Sequence, residues 1–414
     1  MGDPLFFEER DLGGGAKLFH QYRPGMPWCG IGAVIVAGHM HDPVGKEGLS
    51  HLLEHQVSNG RIGDLPAMPI KDLQNWLHRR RLSASLGTTS NYWTRYGGRA
   101  ENFQFGDIAR FLTDLIFRPG FDGDFEKERE AVRAERGHRL NDRRTRIAEA
   151  VERSAFGTHR RTTATGLPDD AVLDGLTHQD VIGHHRKYYT PPNVRFVTLG
   201  GIDTDDMRKL LGELVPPVGP DAIEVGRIPP LDLKPPDPRL LRFSREDGRP
   251  ATTVRIKRTW RFPMIVDDTD TAAKHALDSL LLQRLREELR LVYGVGAECS
   301  AHFDHASFSI HTKVDAAKAD LVLDEIERIM RDESGLREAF ARKDHLLRPD
   351  LVIYDRTCGA IIDHALSSVT DLGYVATRSE ALRVAEAVTE TEVLDFVRDR
   401  LSLDMAQTVI VEQQ

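Results

Sequence analysis

The sequence predicts an α+β protein made of two similar sandwich-like domains, and three observations predict it. The chain has 414 residues, about twice the usual domain length. Each half runs through the same order of segments: strand, helix, strands, helices, strand. Between the halves stand Pro216, Pro217, Pro220, Pro229, Pro230, Pro235, Pro236 and Pro238. That density removes the backbone donors a helix or central strand needs and reads as a semi-extended linker. The expected organisation is a first domain over 1–214, a Pro-rich linker over 215–238 and a second domain over 239–414.

In the first half, IGAVIVAG over Ile31 to Gly38 is a β-branched apolar run closed by glycine, a buried strand. A loop holding Asp42-Pro43 leads to a helix that begins near Leu49 and passes through His55. Ser83 to Tyr96 has the Ser/Thr/Tyr content of a strand pair turning near Ser90-Asn91. Helices follow over 107–117 and 124–140, then a strand over 193–200 and a capped helix over 203–214. Beyond the linker come a strand over 252–260, a helix over 269–290, a strand pair over 292–313, helices from 316 toward the C-terminus and a last strand over 408–412. No residue-level repeat relates the halves.

Composition excludes several classes. Hydrophobic residues make up 40% and charged residues 29%, and the formal net charge is −8, so nothing attracts nucleic acid or an anionic membrane in general. Arg79-Arg80-Arg81 reads as a solvated helix end. No apolar run approaches the roughly 20 residues that cross a bilayer. Cys29, Cys299 and Cys358 are far apart and in no C-x-x-C pattern, which suits a reducing compartment. Met1 to Gly15 has acidic residues and a Gly-Gly-Gly run in place of the basic start and apolar stretch of a signal peptide. A cytoplasmic protein is expected.

The chemistry is concentrated in Gly48-Leu49-Ser50-His51-Leu52-Leu53-Glu54-His55. On a helix, His51 and His55 stand one turn apart on one face, where two imidazoles can share one zinc ion. Glu54, three residues beyond His51, reaches the same side and is placed to accept a proton from a metal-activated water. A structural zinc takes four protein ligands, a catalytic one three and an open position. The helix over 124–140 offers Glu126, Glu128, Glu130 and Glu135 for the third. Glu128 and Glu135, seven apart, share a face, so one can bind metal while the other supports a ligand. The competing account is a surface helix that happens to carry two histidines and a glutamate.

These residues resemble the pitrilysin-type (M16) zinc metallopeptidases, short two-domain subfamily. AGHMHDPVGKEGLSHLLEH, from Ala37 to His55, is similar to the family's glycine-ended strand, acidic loop and inverted H-x-x-E-H motif. EREAVRAE matches its E-x6-E element at Glu128 and Glu135, TSNYWTRY its second strand, and HHRKYYTPPNVRFVTLGGID its Y-x-P-x-N strand entry. The resemblance implies that zinc is held by His51, His55 and Glu135, with Glu54 as general base and Glu128 in support. An insertion near 61–70 accounts for the slightly long interval between His55 and Glu135. In LREELRLVY, Arg286 and Tyr293 fall at the family's seven-residue spacing for a pair that holds the substrate carbonyl, a role suited to stabilising an oxyanion.

The implied fold is a half-clam of two homologous domains: a zinc-binding catalytic domain and a second carrying the Arg/Tyr pair. The implied activity is endopeptidase cleavage of unstructured peptides added as a strand to a sheet edge, in a chamber completed by a second chain. A homodimer suffices for that, and a heterodimer with a related chain is the alternative. Two other functions remain: a maturation peptidase for one precursor peptide, and a non-catalytic scaffold subunit of the same fold. Two departures stand out. Leu86 and Gly87 replace the family's asparagine and alanine in the substrate-facing strand, and Arg290 replaces the glycine before the tyrosine.

Overall fold

The computed structural model describes residues 5–164, 166–226, 231–264, 268–302, 304–346 and 357–413. They form two compact units, each with one sheet and its own apolar core.

In the first unit, strands β1 (Glu8–Gly13), β2 (Ala16–Tyr22), β3 (Trp28–Ile35), β4 (Ser83–Thr89), β5 (Thr94–Glu101) and β6 (Val194–Gly200) form one sheet. Its order is β1-β2-β6-β3-β5-β4. Only β2 and β6 run parallel; the other neighbours are antiparallel. β3 is central and covered on both faces, which is why its sequence is an unbroken apolar run rather than an alternation. On one face Cys29, Ile31, Ala33 and Ile35 join the core beneath helices α1 (Leu49–Asn59) and α3 (Phe105–Phe117). On the other, Gly30 and Gly32 admit the helix Cys358–Leu372. A Cβ at Gly30 would lie 2.6 Å from Ile362 Cδ1, and one at Gly32 2.5 Å from Leu366 Cδ1.

The second unit repeats that topology. Strands β7 (Leu240–Phe243), β8 (Thr253–Phe262), β9 (Val292–Ala301), β10 (Ala306–Asp315) and β11 (Gln407–Glu412) lie in the order β7-β11-β8-β10-β9. Numbering five strands of each unit by chain position, starting with β2 in the first, both sheets read 1-5-2-4-3. In both, the 1-5 pair is parallel and the rest antiparallel. The expectation of two homologous α+β domains is met in strand order although no residue repeat is visible.

The boundaries depart from the linear division expected. Residues 143–162 cluster with the second unit and the described part of 353–378 with the first. The causes are local. Arg143 donates to the carbonyls of Phe243 and Glu412, and Gln407 Nε2 donates to Val151 O and Ser154 Oγ, which fastens the helix Arg143–Phe156 to the second sheet. The helix Cys358–Leu372 buries Ile361, Ile362, Ala365, Leu366 and Val369 along one stripe. The described part of 215–238 holds no helix or strand, as its prolines require. Asn193 pins its first half, accepting from Val225 N and donating to Ile223 O. The helix expected over 269–290 is regular only over Thr269–Leu281 and continues as a widened π-helical segment, Leu282–Glu288. No helix among the described residues is long and apolar enough to cross a membrane.

Candidate metal centre

The motif helix α1 is held from its N-terminus. Asp42, fully buried, accepts from the backbone N–H of Gly48 (2.9 Å) and Ser50 (2.8 Å) and from the Ser50 hydroxyl (2.5 Å). A carboxylate there satisfies orphan donors and favours the positive end of the helix. Gly48 enters at φ +85°, where its missing Cβ leaves room for Pro168. Ser50 is further joined to His184 Nε2 at 3.0 Å. Burial pulls the His184 pKa down to about 3, so that ring is neutral.

His51 and His55 project from one face of α1, with ring centroids 4.8 Å apart and planes nearly perpendicular. Each ring is oriented through Nδ1, His51 by the carbonyl of Gly166 at 2.7 Å and His55 by Glu128 Oε2 at 3.2 Å. With Nδ1–H donating, each Nε2 carries the free lone pair, the arrangement of a ligating histidine with its outer support. Both point at Glu135 on helix α4 (Phe125–Asn141): His51 Nε2 lies 3.5 Å from Oε2, and His55 Nε2 3.5 Å from Oε1. Tetrahedral ligands roughly 2.1 Å from a zinc ion stand about 3.4 Å from one another, so the spacing fits that donor set. His51, His55 and Glu135 are the one group among the described residues whose ligand atoms converge in this way. Glu135 is half exposed, which leaves the fourth direction open.

The four glutamates of α4 are thereby separated. Glu126 pairs with Arg129 and Glu130 with Arg133, both at the surface, while buried Glu128 supports His55 and Glu135 faces the two imidazoles. The histidines differ electrostatically. Burial, reinforced by the neighbouring His55, lowers the pKa of His51. For His55 burial is again the largest influence and acts downward. The hydrogen bond to Glu128, with the charges of Glu135, Glu54 and Glu128, outweighs it, and the net shift is upward.

Glu54 is positioned by Thr89 and Gly87 on β4. The Thr89 hydroxyl donates to Glu54 Oε2 at 2.7 Å. Gly87, at φ +146°, lies against the same side chain, and a Cβ there would fall 2.5 Å from Glu54 Cγ and 2.8 Å from Oε1. The departure at Gly87 thus has a steric reason. Leu86 packs against the core, which gives its position no hydrogen-bonding group for a peptide. Gly166 gave no motif signal because its contact joins it to His51, 115 residues earlier, while Asp42 and Thr89 stand in the segments quoted from the sequence without a role assigned there.

Arg286 and Tyr293 lie in the second unit. Arg286 is exposed on the π-helical segment, and Tyr293 on edge strand β9 is 87% exposed. Arg290 between them has φ +52°, so the backbone keeps the conformation that glycine would adopt freely.

Residues 175–335 match the family model "Peptidase M16 inactive domain". The "Probable zinc protease PqqL" of Haemophilus influenzae is 25% identical over 192 residues, 44% of this chain. The matched region spans only 20% of that relative's length. Among solved structures, the peptidase M16 inactive domain from Pseudomonas fluorescens superposes with a TM-score of 0.77 at 14% identity, over 99% of this chain and 98% of that one. The periplasmic protease PqqL from Escherichia coli gives 0.77 at 14% identity, covering all of this chain and 48% of its own. The class defined by the fold is the two-domain α+β architecture of M16-like proteins. Within it, the chain is similar to M16 peptidases over residues 175–335 and to PqqL over 192 residues, which supports the resemblance read from the sequence.

Proposed function

We propose that this chain is a metal-dependent endopeptidase acting on unstructured peptides, with His51, His55 and Glu135 as ligands. The convergence of two Nε2 lone pairs and a carboxylate at 3.5 Å carries the proposal. Zinc bound there would supply a Lewis acid that acidifies water and polarises a carbonyl. Glu54 takes the proton of the attacking water and returns it to the leaving amine. Thr89 engages Oε2, which leaves Oε1 as the proton-carrying atom. Arg286 and Tyr293 are proposed to hold the carbonyl oxygen as charge develops on it. Glu128 fixes the His55 tautomer.

The scaffold alternative gains nothing from the word "inactive" in the matched family model. That match covers 175–335, whereas the converging residues lie at 51–135. Maturation of one precursor is the narrower alternative, for which the pair Leu86 and Gly87 leaves room. We propose a reducing compartment, on the three free cysteines, although the Escherichia coli relative is named periplasmic. A second chain, identical or related, is proposed to complete the enclosure.

The test is metal content by mass spectrometry together with cleavage of a mixed peptide pool. One equivalent of zinc, lost in Glu135→Ala, and cleavage abolished by Glu54→Gln are expected. Equal cleavage by parent and Glu54→Gln would overturn the assignment.

A further inference from the structure

We propose that the face of the first sheet turned away from Glu54 carries a groove whose arginines select an acidic side chain in the peptide, at about four residues from the cleaved bond. The inference rests on the peptidase proposal for the position of the cut, but the groove itself lies wholly within the first unit.

β4 is an edge strand with β5 as its sole strand neighbour. Its C-terminal half serves the metal side, where Gly87 lies against Glu54 and Thr89 bonds to it. Its N-terminal half borders two cavities, of about 400 Å³ and about 620 Å³, that share Trp28, Ser83 and Arg99. The pairing of β4 with β5 sets Ser83 opposite Arg99, Ser85 opposite Gly97 and Thr88 opposite Arg95. Alternation therefore puts Arg95, Gly97 and Arg99 on one face. A Cβ at Gly97 would meet no side chain, only Ile31 O at 3.3 Å, so the floor between the two arginines is open.

Three guanidinium groups line the two cavities, Arg95 the smaller, Arg81 the larger and Arg99 both. Arg95 stacks on Trp93 at 4.0 Å, touches the hydroxyls of Ser367 and Thr370, and leaves Nε without a partner. Arg81 and Arg99 make no side-chain hydrogen bond or ion pair among the described residues. Arg81 is held at φ +56°, at the turn after helix α2 (Ile70–Arg79), and borders the larger cavity with His78. Asp363, which lines the smaller cavity, and the neighbouring Asp371 both act on Arg95, and Glu101 lines the larger cavity, so the guanidinium groups left without an ion pair among the described residues are Arg81 and Arg99, at the Ser83 end. A strand added to β4 would turn every second side chain to this face. Gly87 to Ser83 is four residues, about 13 Å at the rise of a strand. Unpaired arginines at that distance favour carboxylates, which they can take bidentately.

The test uses full-length zinc-loaded Glu54→Gln and labelled peptides carrying Glu or Gln at alternate positions, read by fluorescence anisotropy. We expect the Glu peptide to bind about tenfold tighter than its Gln twin at low ionic strength, with the margin shrinking as salt is raised. Arg99→Ala and Arg81→Ala should each remove about threefold of that margin, and Arg99→Glu should turn the preference toward a Lys peptide. Equal binding of the twins, or no change in the arginine variants, would overturn the groove even if the parent cleaves peptides. An acidic preference lost in Arg99→Ala, with no cleavage by the parent, would support the groove and sink the peptidase proposal alone.

Discussion

Gly87→Ala tests how Glu54, the proposed general base, is held. The residue sits at φ +146°, a region that costs an L-residue on the order of 1–3 kcal/mol. Its new methyl would fall 2.5 Å from Glu54 Cγ and 2.8 Å from Oε1, against a normal contact near 3.5–4 Å. Gly87 lies in the irregular stretch of β4 between Ser85 and Thr88, whose paired flanks limit how far it can shift, and the contact is relieved if Glu54 moves by about 1 Å. That displacement breaks the 2.7 Å bond from Thr89, a charge-assisted contact of about 1.5–3 kcal/mol. A misplacement of that size at a reacting group costs roughly 100-fold in rate. The expected outcome is a kcat/KM lowered about 100-fold and a Tm lower by several degrees. Zinc stoichiometry should stay unchanged, because neither His51, His55 nor Glu135 touches Gly87 in this way. Thr89→Val, which removes only the hydrogen bond, should fall between parent and Gly87→Ala. A Gly87→Ala enzyme with parental Tm and activity within twofold would refute this account of the site.

Three further outcomes follow from individual residues. Glu128→Ala leaves His55 Nδ1 without its acceptor and should weaken zinc binding about 10–100-fold in a competition titration with a chelator. Arg290→Gly relieves the positive φ and should raise stability by about 1 kcal/mol in urea unfolding, whereas a loss would show that the arginine side chain stabilises the turn. His185 is buried against the Ile116 carbonyl, and burial lowers its pKa from 6.5 to about 4. The unfolded chain binds that proton more readily. Stability contributed by the neutral ring is therefore complete above pH 6.5 and lost progressively as pH falls toward 4, by about 3 kcal/mol. His185→Gln should flatten the urea midpoint across that window.

What the sequence disclosed and what it concealed divide along a physical line. The H-x-x-E-H and E-x6-E spacings are local, and a helix turns them into shared faces, so His51, His55, Glu128 and Glu135 were legible before any coordinates. The choice of Glu135 over Glu126 and Glu130 was not legible from periodicity, because it depends on which face of α4 meets α1. The strands over 31–38, 83–96 and 193–200 were visible from composition, while the first hairpin, β1 and β2, was not singled out. The helix Cys358–Leu372 shows an apolar stripe in sequence, but nothing in that stripe says which sheet will receive it. The answer lies in Gly30 and Gly32, more than 300 residues earlier. The Arg79-Arg80-Arg81 run reads as solvated charge, yet Arg80 stacks on Trp76 at 4.1 Å and Arg81 borders a cavity.

On the shared 1-5-2-4-3 strand order the two copies carry different side chains at corresponding places. In each unit a helix lies between the second and third strands, and the third strand is an edge: α1 before β4, and Thr269–Leu281 before β9. In the first copy that helix stays regular and carries His51, Glu54 and His55, and its edge strand supplies Gly87 and Thr89 to position the base. In the second copy the corresponding helix offers no pair of histidines. Asp278 on it accepts from Ala297 N on β9, and the helix widens into the segment that bears Arg286. Its edge strand carries Tyr293 as its second residue, 87% exposed, where a folded domain on its own would gain by burying the ring. The first copy therefore concentrates lone pairs and carboxylates, and the second presents a guanidinium and a phenol. In the proposed function, the first set would activate water and the second would stabilise the oxyanion. That division predicts that Tyr293→Phe lowers kcat/KM by about 10–100-fold while leaving zinc affinity and Tm unchanged, since an exposed hydroxyl supports neither. A loss of stability in that variant would instead make Tyr293 part of the fold and remove it from the proposed site.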